Sequence, residues 1–339
     1  MDTKYYQPAQ KDWWTGRTDS TTDRDAFRMH QIIECINLEQ DPQPDKDKLN
    51  FCILGFCCDE GIERNKGRRG AKKGPMYIRK EFANLPVTFD NKIQIFDAGN
   101  IICYNENLEE AQKQLSLAVA QIISLGMFPL VLGGGHEVAL GHYNGIVKAL
   151  AKEKIGIINF DAHFDIRPYE NKGSSGTMFA QIADQCKEKN REFNYMVLGI
   201  QTYANTISLF KKAAALGTQY VLARDFKENN YLDISAKINN FINRNDKIYL
   251  TICSDVFNAA FAPGVSAVQP FGMDPETVLR FIKSIIKSGK VVSMDIAEVS
   301  PRFDHDNQTA KLAAVILYSV INTLIETKGL AENLYPVIL

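Results

Sequence analysis

Short apolar runs alternate with longer amphipathic segments along most of this 339-residue chain. The short runs have the length of buried strands, and the segments between them have the periodicity of helices. This alternation predicts an α/β fold: a three-layer sandwich whose mostly parallel sheet has about eight strands, with helices on both faces. Strands are predicted at residues 51–56, 93–96, 128–132, 155–160, 195–200, 220–222, 248–252 and 291–294, and helices at 108–125, 138–150, 208–215, 234–241, 275–287 and 309–326.

No stretch rich in proline or serine divides the chain, so residues 1–339 are predicted to form a single domain, with residues 1–49 as an N-terminal extension. The net charge of -1 argues against a protein that binds nucleic acid. The seven cysteines follow no CxxC spacing, which is typical of a reducing compartment. The N-terminus does not resemble a signal peptide, and the apolar residues 312–321 are too few to span a bilayer. Together these features predict a cytoplasmic protein with no membrane or nucleic-acid partner.

The sequence DAHFD at residues 161–165 directly follows a predicted strand. Because side chains alternate across a strand, Asp161, His163 and Asp165 are expected on one face at its carboxyl end. Two carboxylates and an imidazole are donors that suit Mn²⁺ or a related divalent ion. One such ion, or two ions about 3.5–4 Å apart, would activate water. The alternative is a capped strand end with a hydrogen-bonded histidine.

Three other predicted strands also end in polar segments. They are GGGHE at residues 133–137, CSD at 253–255 and DIAE at 295–298. The carboxyl ends of parallel strands meet at one edge of a sheet, where ligands bind in folds of this class. The sequence therefore predicts one site built from all four segments. Taken alone, His136 would more often be structural, and Glu298 could be a carboxylate that favours the start of a helix.

Residues 60–74 form a predicted loop rich in glycine, arginine and lysine. A guanidinium group is well shaped to bind a carboxylate, so Arg64 or Arg68 could hold one in a substrate. Arg167, two residues after the DAHFD stretch, is a third candidate. A solvated surface is the alternative for these side chains, and a single basic loop does not predict nucleic-acid binding.

These motifs together resemble the arginase/agmatinase/formimidoylglutamase family, the ureohydrolases. The resemblance covers nearly the whole chain and rests on GGH at residues 134–136, DAHFD at 161–165, CSD at 253–255 and DIAEVSP at 295–301. Within the family the chain looks most like the formimidoylglutamases. The supporting stretches are WTGR at 14–17, GGGHE at 133–137, DIR at 165–167 and APGVSA at 262–267, whereas arginases usually carry Gly-Gly-Asp-His at the first motif.

The resemblance implies an arginase-like fold, a site for two Mn²⁺ ions per chain, and a homo-oligomer, either a trimer or a hexamer. Glu298 falls on the position that contacts the cationic amidine-type group of the substrate. Asp165 is the candidate for proton transfer to the leaving group. The positions that match the family's metal ligands are His136, Asp161, His163, Asp165, Cys253 and Asp255.

Two residues depart from the family pattern. Cys253 stands where most members carry an aspartate that bridges both metals. A thiolate is softer and offers one donor atom, so we expect weaker or altered loading of at least one metal position; a small buried residue is the alternative. Ser175 stands where arginases and agmatinases carry a histidine that is linked to proton transfer. The formimidoylglutamase group also tends to lack that histidine, so its absence bears on substrate choice.

The leading prediction is metal-dependent hydrolysis of N-formimidoyl-L-glutamate to L-glutamate and formamide, a step of histidine degradation. Glu298 would orient the formimidoyl group, and Arg167, Arg64 or Arg68 would bind a carboxylate. Two alternatives stay open. One is hydrolysis of another guanidino compound, such as agmatine or guanidinobutyrate. The other is a metal-poor family member without catalytic activity.

Overall fold

A computed structural model describes residues 2–331, which are organised around one ten-stranded sheet. The strands are β1 (Tyr6–Gln7), β2 (Glu34–Cys35), β3 (Leu49–Cys57), β4 (Ile93–Ile102), β5 (Phe128–Leu132), β6 (Ile155–Phe160), β7 (Asn194–Ile200), β8 (Gln219–Leu222), β9 (Lys247–Cys253) and β10 (Val291–Ala297). Their order is β1-β4-β3-β5-β10-β9-β6-β7-β8, and β2 pairs with β4. Strand β1 runs antiparallel to β4, and the other pairings are parallel.

Helices cover both faces of the sheet. They are α1 (Met29–Ile32), α2 (Glu60–Arg64), α3 (Gly74–Phe82), α4 (Leu108–Ser124), α5 (Val138–Ala149), α6 (Met178–Glu188), α7 (Ile207–Ala215), α8 (Tyr231–Asn243), α9 (Pro275–Ile286) and α10 (Gln308–Thr327). On one face α5 packs against α4 and α6, and on the other α10 packs against α3 and α9. The predicted three-layer α/β fold is therefore confirmed.

Each face of the sheet has its own hydrophobic core, and the strands supply both cores in alternation. In β3, Phe51 and Ile53 face the core beneath α3 and α10, whereas Cys52 and Leu54 face the core beneath α4 and α5. A parallel sheet that is buried on both faces requires strands that are apolar at nearly every position. This requirement explains why the central strands appear in the sequence as continuous apolar runs.

All eight predicted strands and all six predicted helices are present, with small differences at their ends. The prediction missed β1 and β2, because strands of two residues are too short to show a periodicity. Both lie in the segment before residue 50, which therefore adds strands beside β4. Helices α1, α2, α3 and α6 were also missed. Helix α1 has only four residues, and α2 lies within residues 60–74, where the prediction of a loop was wrong. Helices α3 and α6 each begin within a stretch rich in glycine, which lowers helix propensity.

The last helix, α10, is longer than its apolar centre at residues 312–321. With 20 residues the whole helix is long and apolar enough to cross a membrane, although residues 312–321 alone are too few. However, 61% of its most apolar window is buried within the structure. Its apolar side chains belong to the core shared with α3 and α9, which is the packing of a core helix.

A buried ion pair connects the first residues of the chain to the sheet. Arg79 on α3 and Asp97 on β4 are both fully buried, and two nitrogens of the guanidinium each lie 2.8 Å from a carboxylate oxygen. Trp14 Nε1 donates to the same carboxylate at 2.8 Å. The remaining donors of Arg79 reach Asn100 and the carbonyl of Gly99, each at 2.7 Å. Because the pair is fully hydrogen-bonded, removing one partner would leave a buried charge without compensation.

We therefore predict that Arg79→Met lowers the free energy of unfolding by about 3–5 kcal/mol. Urea denaturation followed by circular dichroism measures this change. Lys80→Met, at an exposed position of the same helix, is the matched control and is expected to change stability by less than about 0.5 kcal/mol. A loss for Arg79→Met no larger than that of the control would contradict the prediction.

Candidate active site

The structure brings the four polar segments together. Strands β5, β10, β9 and β6 are neighbours at the centre of the sheet, and their carboxyl ends border a cavity of about 310 Å³. Backbone hydrogen bonds from Gly133 to Ile296 and from Glu298 to Gly134 continue the β5–β10 pairing into the loops. The residues that line the cavity are Asn65, Lys66, Gly67, Arg68, His136, His163, Asp165, Arg167, Ser175, Cys253, Asp255, Ser266, Ala267 and Glu298.

Asp161 belongs to two groups of potential metal ligands. The first group contains His136, Asp161 and Cys253, and the second contains Asp161, His163 and Asp255; within each group the donor atoms lie within 4.8 Å of one another. The two oxygens of Asp161 face different groups: Oδ2 is 2.9 Å from His136 Nδ1, and Oδ1 is 3.4 Å from His163 Nδ1. An aspartate shared in this way has the arrangement of a carboxylate that bridges two cations.

The site chemistry fits divalent cations. Oδ1 of Asp255 is buried and has no hydrogen-bond partner among residues 2–331, although Oδ2 lies 3.2 Å from His163 Nδ1. A buried carboxylate oxygen without a partner is costly unless a ligand or ion satisfies it. Burial, together with the charges of Asp161 and Asp255, raises the pKa of the Cys253 thiol well above its usual value. In the absence of a cation, Cys253 is therefore a protonated thiol.

Asp165 and Glu298 both adopt left-handed backbone conformations, with φ values of 50° and 67°. Such conformations cost about 1–3 kcal/mol in residues other than glycine and concentrate at functional sites. Burial and the charge of Asp161 raise the pKa of Asp165 to about 6. Burial, with the charges of Glu137 and Asp255, also raises the pKa of Glu298 well above its usual value. The Oε1 atom of Glu298 accepts a hydrogen bond from the backbone N–H of His136 at 3.0 Å.

A buried polar chain behind the site orients His136. Its Nε2 lies 2.9 Å from Thr251 Oγ1, which donates to Asp295 Oδ1 at 2.6 Å; Asp295 Oδ2 lies 2.6 Å from Nδ1 of the buried His142. With Nε2 held by Thr251, Nδ1 of His136 faces Asp161 and is 3.2 Å from Asp165. Burial lowers the pKa of His136, but its hydrogen bonds with these two aspartates outweigh burial and raise the pKa above its usual value.

Thr251 and His142 are site residues that the sequence did not single out. Thr251 lies two residues before Cys253 in strand β9, and this spacing places both side chains on the same face. The spacing was visible in the sequence, but the pairing with His136 depends on the order of the strands.

The three arginines that were candidates for carboxylate binding lie in different surroundings. Arg64 does not line the cavity; its guanidinium pairs with Glu60 and Glu109, so the expectation that it contacts a substrate is corrected. Arg68 lines the cavity, but its guanidinium donates to the carbonyls of Val265 and Ser266. Arg167 lines the cavity, is exposed, and forms no salt bridge with any residue from 2 to 331. Lys66, which was not singled out from the sequence, also lines the cavity.

The fold and these ligand groups define a three-layer α/β protein with a candidate two-metal site at the carboxyl edge of its sheet. Comparison with known proteins agrees with this description: the Arginase family matches residues 49–322. The formimidoylglutamase of Clostridium tetani (strain Massachusetts / E88) is 54% identical over 331 residues, which are 96% of this chain and 98% of that protein. The chain belongs to the Arginase family, as its motifs predicted.

Solved structures show the same fold. The crystal structure of formimidoylglutamase from Bacillus subtilis aligns with a TM-score of 0.76 and 21% identity, over 91% of this chain and 95% of that one. The structure of Trypanosoma cruzi formiminoglutamase with Mn²⁺ aligns with a TM-score of 0.72 and 23% identity, over 85% of this chain and 98% of that one. At these identities the likeness shows the fold alone.

The hydrogen bond between His136 and Thr251 leads to a prediction. We expect Thr251→Val to weaken Mn²⁺ binding by about 10- to 100-fold, because partners that orient a ligand histidine contribute this much to metal affinity. Calorimetric titration of the metal-free protein with Mn²⁺ measures the affinity. Thr323→Val is the control, because Thr323 is buried in α10 and bonds only a backbone carbonyl. Equal affinities in the two variants would contradict the assigned role of Thr251.

Proposed function

We propose that this chain hydrolyses N-formimidoyl-L-glutamate to L-glutamate and formamide in a metal-dependent reaction. The proposal depends mainly on one observation: metal-type donors and Glu298 line the same cavity as the basic side chains of Lys66, Arg68 and Arg167. The substrate has matching chemistry, since it carries a cationic formimidoyl group on its α-nitrogen, a carboxylate on the adjacent carbon and a second carboxylate at the end of its side chain. The identity of 54% with the C. tetani formimidoylglutamase supports the same substrate.

Two Mn²⁺ ions are the proposed cofactor, as the T. cruzi structure with Mn²⁺ suggests. His136, Asp161 and Cys253 would hold one ion, and Asp161, His163 and Asp255 the other, with Asp165 contributing beside His136. When bound, the ions would supply Lewis acidity and activate water for attack on the formimidoyl carbon.

Residues of the chain would orient the substrate and move protons. Glu298, held by the backbone of His136, faces the cavity and would bind the formimidoyl cation through a charge-assisted hydrogen bond. Cleavage of the C–N bond requires that the amine of glutamate leave with an added proton. Asp165 lines the cavity beside His136 and is the carboxyl group best placed to deliver that proton.

The basic side chains of the cavity would bind the glutamate part of the substrate. Arg167 has a guanidinium that is not engaged in a salt bridge with residues 2–331, so it is the proposed partner of one carboxylate. Arg68 and Lys66 would provide positive charge for the second. Agmatine carries no carboxylate and would leave these cations without partners, which disfavours it as a substrate.

The domain organisation, the compartment and the oligomeric state remain proposals. We propose that residues 1–339 form one domain, in which residues 1–49 are an N-terminal extension. We also propose a cytoplasmic homo-oligomer, a trimer or hexamer. Light scattering coupled to size-exclusion chromatography tests the oligomeric state.

A substrate panel tests the reaction directly. With added Mn²⁺, the purified protein is expected to release formamide from N-formimidoyl-L-glutamate and to release little urea from agmatine or guanidinobutyrate. Formamide and urea are quantified separately by chromatography. Urea release that exceeds formamide release would contradict the proposed substrate, and no release from any compound would favour a non-catalytic role.

The proposed role of Arg167 in binding a substrate carboxylate leads to a further prediction. Arg167→Ala is expected to raise the KM for N-formimidoyl-L-glutamate by about 10- to 100-fold with a smaller change in kcat, because a charge-assisted hydrogen bond to a non-reacting carboxylate contributes to binding. Arg244→Ala, at an exposed position after α8, is the control. An unchanged KM for Arg167→Ala would exclude this contact.

The proposed role of Cys253 as a metal ligand also leads to a prediction. Because a thiolate offers one donor atom where a carboxylate offers two, we expect the wild-type chain to hold fewer than two tightly bound Mn²⁺ ions after desalting. Cys253→Asp is expected to bring the content closer to two. Elemental analysis measures the manganese content of both proteins. The control is Ser124→Asp, which adds an aspartate at an exposed position. Cys186 is unsuitable for this purpose because it packs in the core. Two tightly bound ions in the wild-type protein would contradict the prediction.

A further inference from the structure

Glu137 is a fully buried carboxylate for which the proposed reaction has no role. It follows His136 in the chain but does not line the cavity. Its Oε1 atom accepts a hydrogen bond from the backbone N–H of Gly61 at 2.9 Å, and its backbone carbonyl accepts one from Gln112 Nε2 at 2.8 Å. Burying a carboxylate is costly unless its interactions compensate, so the bond to Gly61 calls for an explanation.

Gly61 connects two loops that border the cavity. Its carbonyl accepts a hydrogen bond from the backbone N–H of Asn65 and another from that of Ser175, both at 3.0 Å. Asn65 and Ser175 both line the cavity, and Asn65 Nδ2 lies 3.4 Å from Ser175 Oγ. The next residue, Gly176, accepts a backbone hydrogen bond from Arg167 at 2.8 Å. Gly61, whose N–H is held by Glu137, is therefore the residue to which both segments are attached through its carbonyl.

The space for the Glu137 carboxylate exists only because two neighbours are glycines. A Cβ atom at position 135 would lie 2.0 Å from Glu137 Oε2, and a Cβ atom at position 61 would lie 2.7 Å from the same oxygen. A side chain at position 135 is therefore incompatible with Glu137 in its present place.

We propose that Glu137 is a positioning residue that fixes Asn65, Ser175 and Arg167, which line the cavity, relative to the proposed metal ligand His136. His136 and Glu137 are adjacent, so one stretch of backbone carries both the proposed metal ligand and the carboxylate that holds Gly61. Through Gly61 the position of Asn65, Ser175 and Arg167 is fixed relative to His136. The residue thereby adapts the cavity to a substrate with carboxylates, an inference that rests on the proposed function.

Kinetic analysis of Glu137→Ala and Glu137→Gln tests the proposal. Glu137→Ala removes the acceptor for Gly61 and is expected to raise the KM for N-formimidoyl-L-glutamate by about tenfold, with kcat within about threefold of wild type and Mn²⁺ content unchanged. Glu137→Gln keeps an acceptor oxygen and is expected to restore a KM close to wild type. If Glu137→Ala does not fold, Glu137→Asp replaces it, because the shorter side chain withdraws the carboxylate from Gly61 and is expected to raise KM in the same way.

Two further measurements do not depend on activity. Hydrogen exchange is expected to speed up in peptides that cover residues 61–66 and 173–177 in the Glu137→Ala variant and to stay slow in a peptide from α9. Gly135→Ala is expected to destabilise the wild-type protein more than it destabilises Glu137→Ala, because the clash with the carboxylate is then gone.

The outcomes separate this inference from the proposed function. If the wild-type protein does not hydrolyse N-formimidoyl-L-glutamate, the proposed function fails, whereas exchange and the Gly135 comparison still test the attachment of the two loops. An unchanged KM and unchanged exchange in Glu137→Ala would overturn the inference. A loss of Mn²⁺ and kcat with constant KM would also overturn it, because Glu137 would then act on the metal site.

Discussion

The repulsion among buried carboxylates at one edge of the sheet is the constraint on which this site depends. Asp161, Asp165, Asp255 and Glu298 are all buried and lie around one cavity or directly beneath it. Like charges at such short range, shielded from water, oppose one another's ionisation. Burial is the main cause of the raised pKa values of Asp165 and Glu298, and the charges of neighbouring carboxylates raise them further. Divalent cations would offset this repulsion, so the carboxylates that oppose one another's ionisation also favour metal binding.

Charged side chains of both signs line the cavity. Acidic groups lie at the strand ends, and the basic side chains of Lys66, Arg68 and Arg167 lie on the loops. A ligand with a cationic end and an anionic end would be oriented by this arrangement before any specific contact forms. The residues behind the site, such as Thr251 and Asp295, fix the acidic groups to the rigid sheet, whereas Glu137 connects them to the loops.

The sequence was sufficient to predict much of the fold and the location of the site. Central strands buried on both faces are nearly continuous apolar runs, and parallel strands bring polar residues at their carboxyl ends together; both consequences follow from local sequence. This is why His136, Asp161, His163 and Asp255 could be predicted to meet. The two-residue strands β1 and β2 could not be predicted, because pairing with β4 defines them and their own sequence carries no pattern.

Contacts between residues that are distant in the sequence could not be predicted either. Arg64 had the chemistry of a carboxylate-binding residue, but it pairs with Glu109, which lies 45 residues away and was assigned no role. Neither the hydrogen bond from Gly61 to Glu137 nor that between His136 and Thr251 has a local pattern, since each joins segments that only the strand order brings together. The buried pair of Arg79 and Asp97 was likewise not visible in the sequence, because charged residues are ordinarily expected at the surface.

The central claim is that Asp161 is shared between two cation positions. Anomalous diffraction at the manganese edge from crystals grown with Mn²⁺ tests it directly. We expect two peaks, one on the side of Asp161 that faces His136 and one on the side that faces His163, with the first weaker because Cys253 contributes to it. Peaks located away from Asp161, or no peak at this edge of the sheet at saturating Mn²⁺, would contradict a shared Asp161.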